Sequence, residues 1–212
     1  MISDGYHETR FAFDPRRQVL WSALYRHYFS RFIQPDFSVV ELGAGYGYFI
    51  NSVRARRRIA VDVWPGMKDF LEVGVESHTG PIQDLAFLAE HSVDFAFASN
   101  VLEHLEKEDV AATLQQLRSK LKPGAQLCIV GPNYRFCSAE YFDDYTHVSV
   151  FSDRSLADFV QAHGFKVVRV VPRFMPLTIK SRLPVFELLI RLYLRSPIKP
   201  FGKQMMLLAV NQ

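Results

Sequence analysis

The sequence predicts an α/β protein with a mostly parallel, doubly wound sheet, and three observations carry that expectation. Short apolar runs, such as residues 93–98 ("VDFAFA"), alternate with stretches of helical periodicity, which is how strands covered on both faces read. Residues 39–50, "VVELGAGYGYFI", set three glycines in five positions directly behind the first such run. Asp62 then closes the next apolar run about twenty residues beyond those glycines.

In chain order, Pro15 to Phe32 spaces Val19, Leu20, Ala23, Leu24, Tyr25 and Tyr28 for a helix with Pro15 in its first turn, ended by Pro35-Asp36. Ser38 to Leu42 is a strand running into the glycines, and Tyr46 to Arg56 reads as the following helix. A second buried strand, Arg58 to Val63, stops at Trp64-Pro65-Gly66. Met67 to Val73 reads as helical, a short strand falls around Val73 to Glu76, and His78 to Pro81 reads as loop. Strand Val93 to Ala98, helix Lys107 to Leu121, a turn at Lys122-Pro123-Gly124 and strand Gln126 to Val130 follow. After a loop from Gly131 to Ser152, Ser152 caps a helix that Gly164 stops. Strand Phe165 to Val171, a basic-apolar helix near Pro184 to Leu194 and strand Gln204 to Val210 close the chain. That makes seven strands, the last two forming an antiparallel edge because no long crossover joins them.

The length of 212 residues suits one full core with embellishments. Residues 1–35 form a helical extension and 36–212 the main domain, with a loop at about 131–152 and the basic-apolar helix at about 180–196. A net charge of +3, with no long Lys/Arg run among aromatic platforms, argues against a nucleic-acid partner. Cys128 and Cys137 have neither CxxC nor Cys/His metal spacing, so a reduced, cytoplasmic protein is expected. Charges in "MISDGYHETRFAFDPRR" interrupt any signal-peptide core, and no uncharged apolar run reaches the ~20 residues of a membrane span.

A strand-glycine-helix unit brings backbone N–H groups and a helix N-terminus close to a ligand, since no Cβ blocks the approach. The dinucleotide fingerprint G-x-G-x-x-G needs a third glycine where this chain has Tyr48. The spacing here is G-x-G-x-G, from Gly43, Gly45 and Gly47, with Glu41 two residues upstream. This pattern resembles the first motif of the class I S-adenosylmethionine-dependent methyltransferases. The resemblance implies their Rossmann-like, seven-stranded fold and S-adenosylmethionine as cofactor, with S-adenosylhomocysteine as product. It assigns the methionine end of that cofactor to Glu41, Gly43, Ala44, Gly45 and Gly47.

Asp62, with Val63 and Trp64 behind it, stands where an acidic residue accepts bonds from ribose hydroxyls; the alternative is a solvated loop carboxylate. Trp64 and Met67 are candidates to cover the adenine or to fill the core. Residues 80–105, "GPIQDLAFLAEHSVDFAFASNVLEHL", are similar to the family segment carrying the adenine contact and fourth strand. Family members usually have an Asp one residue after the glycine, where this chain has Pro81. The adenine is then assigned to Ile82 and to Gln83 or Asp84, and Asn100 to the end of the fourth strand.

A hydroxyl acceptor benefits from a base, and the candidates are His104, His147, Glu103, Asp143 and Asp144, with the two histidines preferred. The loop segment 141–152, "YFDDYTHVSVFS", offers a base with an orienting acid; two carboxylates and one histidine make a weak metal set, so no metal ligand is assigned. With "GPNYRF" before it, this segment looks like methyltransferases found with polysaccharide and lipopolysaccharide biosynthesis. That resemblance implies a small, sugar-like acceptor and O-methylation, with Tyr134, Arg135, Asp143, Asp144 and His147 lining the acceptor site. A non-catalytic binding module of the same fold, and a methyltransferase of another small-molecule pathway, are the alternatives. The basic-apolar C-terminal helix suits either packing on the sheet or in a homodimer, or peripheral contact with the inner face of a membrane.

Overall fold

A computed structural model describes residues 12–176 and 186–212. Helix α1 (Pro15–His27) has Pro15 in its first turn, as expected from sequence; sequence reasoning missed the Asp14 cap, which accepts from the Arg16 amide at 2.9 Å, and the helix ends short of the expected Phe32. Strand β1 (Ser38–Leu42) leads through the glycines into α2 (Tyr48–Ser52), and β2 (Arg57–Asp62) and β3 (Val75–Thr79) follow. Then come β4 (Val93–Ser99), α3 (Lys107–Lys120), β5 (Leu121–Pro132) and the short α4 (Tyr134–Cys137). Helix α5 (Asp153–Ala162), β6 (Phe165–Pro176), α6 (Glu187–Arg195) and β7 (Gly202–Asn211) complete the chain.

The strands form one sheet in the order β3-β2-β1-β4-β5-β7-β6, in which β7 runs antiparallel to both β5 and β6. The antiparallel edge is therefore a pair, β7 slotted inside β6. Alternation along each strand sorts side chains to two faces. Val40, Leu42, Ala96, Ala98, Leu127 and Ile129 join a largely aliphatic layer with Val110 and Leu114 of α3 and Leu156 and Val160 of α5. Val39, Phe95 and Phe97 face the opposite way, into an aromatic layer with Trp21 of α1, Phe29 and Phe49. Phe49 stacks on Phe97 at 3.7 Å, so truncating Phe97 would cost about 3–5 kcal/mol of stability. The helix of the amino-terminal segment is thus part of this layer.

Several expected boundaries move. The helix expected from Tyr46 to Arg56 is only α2, because Gly47 takes a left-handed conformation (φ +68°) and Val53 is extended. The Met67 to Val73 segment is a 3-10 turn over Pro65–Phe70. Part of the expected loop at His78 belongs to β3, where Val61 pairs with His78. The expected Lys122-Pro123-Gly124 turn lies inside β5 at a register shift, with Gly124 at φ +80°. The loop after β5 contains α4 and a 3-10 turn at Tyr141–Asp143. Of the expected C-terminal helix, residues 180–185 lie outside the described residues. The remainder packs Ile190 and Leu194 inward and leaves Leu188, Leu189 and Leu192 exposed. Glu187 fastens it to Arg26 and His27 of α1 at 2.6 and 2.7 Å.

Candidate functional site

Strand register builds the site. Leu42 pairs with Val61 on one side and Ala98 on the other, so Gly43, Asp62 and Ser99 emerge at the same end of the sheet. There the strand order reverses between β1 and β4, opening the crevice in which doubly wound proteins bind ligands.

Gly43 and Gly45 adopt φ +69° and +51°, a region glycine enters without strain. A Cβ on Gly43 would lie 2.5 Å from Cγ2 of Val101. That close approach presses the turn after β4 against the glycine loop. Four of the loop amides bond within the protein. Gly43 and Ala44 amides donate to the Val61 carbonyl (2.8 and 3.1 Å), Gly45 donates to Asp62 Oδ2 (2.7 Å), and Gly47 donates to the Ala44 carbonyl (2.8 Å). These amides brace the loop, and the missing side chains of Gly43 and Gly47 make room for Val101 and Leu71.

The two acids are committed to the same bracing. Asp62 accepts from Gly45 through one oxygen and from the Trp64 amide (2.8 Å) through the other. Buried Glu41 accepts from the Ile50 amide at 2.9 Å, tying α2 back to β1. Burial pushes the Glu41 carboxyl well above the usual carboxylate range; the Ile50 amide opposes this and neighbouring Asp62 adds to it.

Of the residues expected to hold adenine, Ile82 is buried and Gln83 half-buried, and Gln83 Oε1 has no hydrogen-bond partner among the described residues. A buried acceptor without a partner is costly. Asp84 is exposed and turns back to accept from the Ala86 amide. Val63 is exposed, Met67 is fully buried core, and Trp64 packs against Tyr46 (5.0 Å) and Phe70 (5.7 Å).

On the other side of the crevice, Asn100 leaves β4 with φ +51°, uncommon for a non-glycine residue. Its Oδ1 accepts from Gln204 of β7 at 2.7 Å. The 3-10 turn Leu102–His104 follows, and the Glu103 carbonyl accepts from the Val148 and Ser149 amides (2.9 and 3.1 Å). These bonds clamp the loop after β5 onto the turn and bring His147 to His104, with ring centroids 4.9 Å apart.

His104 Nδ1 lies 2.8 Å from Thr146 Oγ1, which donates to Asp144 Oδ1 at 2.6 Å; His147 Nδ1 donates to the Tyr141 carbonyl at 2.6 Å. Burial pushes His104 down to about 4, with nearby His147 adding to the shift, so it is neutral at pH 7. Burial pushes Glu103 up to about 8. For Asp144, burial acts upward, but the two Thr146 bonds and the imidazoles outweigh it and hold the carboxyl below its ordinary value.

The remaining acceptor-side candidates separate. Tyr134 is half-buried, edge-on to Tyr141 at 5.3 Å. Arg135 holds Asp153 at 3.0 Å, and Asp153 also accepts from Asn133 Nδ2 at 2.8 Å. Asp143 is exposed and outside the histidine cluster. Sequence reasoning missed Thr146, Asp153 and Gln204. Asp144-Tyr145-Thr146 does carry a turn signal, an Asp whose side chain accepts from the amide two residues on, and that signal locates Thr146.

Switch-point crevice and glycine loop together define a doubly wound protein of the nucleotide-binding kind. The chain matches the family described as "Methyltransferase domain" over residues 13–170, and it belongs to that family. A S-adenosylmethionine-dependent methyltransferase from Archaeoglobus fulgidus superposes with TM-score 0.69 at 21% identity, covering 97% of each chain. Geranyl diphosphate C-methyltransferase from Streptomyces coelicolor, solved with Mg2+, geranyl diphosphate and S-adenosylhomocysteine, gives TM-score 0.64 at 14% identity over 90% of this chain and 77% of that one. Uncharacterized protein Rv1509 of Mycobacterium tuberculosis is 34% identical over 77 residues, 36% of this chain and 24% of the relative. The chain thus spans about a quarter of that curated relative's length. No helix among the described residues is long and apolar enough to cross a membrane.

Proposed function

We propose that this methyltransferase takes its methyl group from S-adenosylmethionine and passes it to a hydroxyl of a sugar-like small molecule. The observation that carries the cofactor reading is the glycine loop at the switch point, where Gly43, Gly45 and Gly47 all take positive φ directly behind β1. Gln83 and the main chain at Ile82 would bind the adenine, Asp62 the ribose, and the glycine surface the methionine end. When bound, S-adenosylmethionine supplies a methyl carbon on a sulfonium leaving group, so holding the acceptor in line lowers much of the barrier.

This chain's contribution is orientation and proton removal. Donation from Nδ1 to the Tyr141 carbonyl leaves the other ring nitrogen of His147 as the basic atom, and His104 stands next to it. Burial makes His104 a poor proton acceptor, so the base role is assigned to His147. Flat rings exposed at Phe142 and Tyr145, with Asp143 and Asp144 among them, support a hydroxyl-rich acceptor. Exposed Leu188, Leu189 and Leu192 alongside Arg191 and Arg195 suit peripheral membrane contact or a homodimer, consistent with a glycan intermediate handled at the cytoplasmic side.

Calorimetric titration with S-adenosylmethionine and S-adenosylhomocysteine, followed by mass spectrometry of candidate sugars, tests the reading. Absence of heat with both ligands sinks the cofactor assignment. Binding without methylation of any sugar, together with turnover of another small molecule, sinks the acceptor class.

A further inference from the structure

We propose that Glu103, His104 and His147 form a binding site for one divalent transition-metal cation of the zinc, cobalt or manganese class. One ligand atom from each lies within 4.8 Å of the others, although residues 104 and 147 are far apart in sequence. Three donors at ~2.1 Å from a tetrahedral ion sit about 3.4 Å apart, so side-chain adjustment of about an ångström closes the set.

Hydrogen bonding of the imidazoles fixes them as ligands. The Tyr141 carbonyl can only accept, so His147 Nδ1 carries the proton and Nε2 keeps its lone pair. Thr146 gives its hydroxyl proton to Asp144 and therefore accepts from His104 Nδ1, leaving His104 Nε2 in the same state. Metal-bound histidines show this arrangement, with the far ring nitrogen donating to a carbonyl or to a carboxylate-backed group. The Glu103 carboxyl is buried, 4% exposed as a residue, and wedged against Gly131, where a Cβ would meet Oε2 at 3.7 Å. A carboxylate at such a position is costly without a cationic partner, which an ion supplies. The main-chain clamp from the Glu103 carbonyl to Val148 and Ser149 holds both halves of the site in register independently of any ion. Two imidazoles and one carboxylate suit borderline cations better than magnesium or calcium, and three protein ligands leave a position open.

That open position gives the ion a role resting on the methyl-transfer reading. With the ion bound, His147 Nε2 is a ligand and its role as base belongs to the ion-free protein; an acceptor hydroxyl at the open position would lose its proton to solvent instead. Its oxygen then bonds to the methyl carbon while the carbon–sulfur bond breaks and leaves its electron pair on sulfur. Asp144 and Thr146 are positioning residues acting through His104.

The test uses the full chain, dialysed against a chelator and titrated with Co2+ while its visible d–d absorption is followed, with Zn2+ as competitor. One equivalent is expected to bind. His104→Ala and His147→Ala should each weaken it on the order of 100-fold with the circular dichroism unchanged, and His163→Ala should leave it intact. Thr146→Val should weaken binding about 10-fold or more and Thr146→Ser should restore it. Failure of wild-type protein to bind Co2+ or Zn2+ tighter than about 0.1 mM, or equal binding by both histidine variants, overturns the proposal. Calorimetry with S-adenosylmethionine on the same samples separates the two ideas, since loss of nucleoside binding alone removes the methyl-transfer reading and leaves the metal site standing.

Discussion

The two walls of the crevice are built in different ways. The wall proposed to hold the cofactor is one contiguous loop, Gly43 to Gly47, braced by main-chain bonds to Val61 and by Asp62. The wall proposed for the acceptor gathers Glu103 and His104 with Asp144, Thr146 and His147, joined through side-chain bonds and one pair of main-chain clamps. A wall made of backbone tolerates no added atom at its tightest point. A wall made of side chains tolerates substitution structurally and loses chemistry instead.

The sharpest way to break the cofactor wall is Gly43→Ala, which combines a left-handed φ with a 2.5 Å contact to Val101. Affinity for S-adenosylmethionine should fall by at least about 100-fold, or ~2.8 kcal/mol, measured by calorimetry. On the acceptor wall, His147→Ala should lower turnover about 10²-fold or more and leave cofactor affinity within about twofold. A comparable loss of both quantities would show that the walls are not independent.

Gln83→Met sharpens the contrast from the cofactor side. Removing a buried acceptor that lacks a partner among the described residues should raise the Tm of the ligand-free protein slightly and weaken the cofactor about 10-fold. A lowered Tm in the ligand-free state would mean the amide is already satisfied.

The smallest expected effect concerns Asp153, beneath the acceptor loop. Burial acts to raise its carboxyl, but bonds from Asn133 and Arg135 outweigh burial and hold it below the usual value. A carboxyl lowered in the folded state stabilises fully above the unfolded pKa near 3.9, and that stability is lost as pH falls through the folded value. Asp153→Asn should therefore lower Tm at pH 7 by about 2–4 °C and flatten the acid limb of the Tm–pH curve. An unchanged acid limb would mean the Arg135 contact contributes nothing.

Legibility follows the same division. Ser38–Leu42 and the Ser152 cap were readable because an apolar run and a cap-plus-spacing pattern are local signals. The short α2 was not, because apolar Tyr48 to Ile50 continue a helical pattern while Val53 departs from helical geometry. Asp62 was legible as an important acid at a strand end, but its bonds to Gly45 and Trp64 were not, since they depend on how β2 lies beside β1. His104 and His147 were each legible as candidates. Their meeting, and the Thr146 link to Asp144, depend on a loop folding back 42 residues further along the chain.

By itself the sequence determined the layered α/β architecture, the glycine loop and the identities of the groups able to do chemistry there. Periodicity, left-handed backbone and side-chain type are properties of neighbouring residues. Only the tertiary structure decided that the loop amides face inward, that β7 lies inside β6, and that Glu103 joins two imidazoles. Each of those depends on strand register and on bonds between distant segments, and local sequence carries no information about distance across a fold.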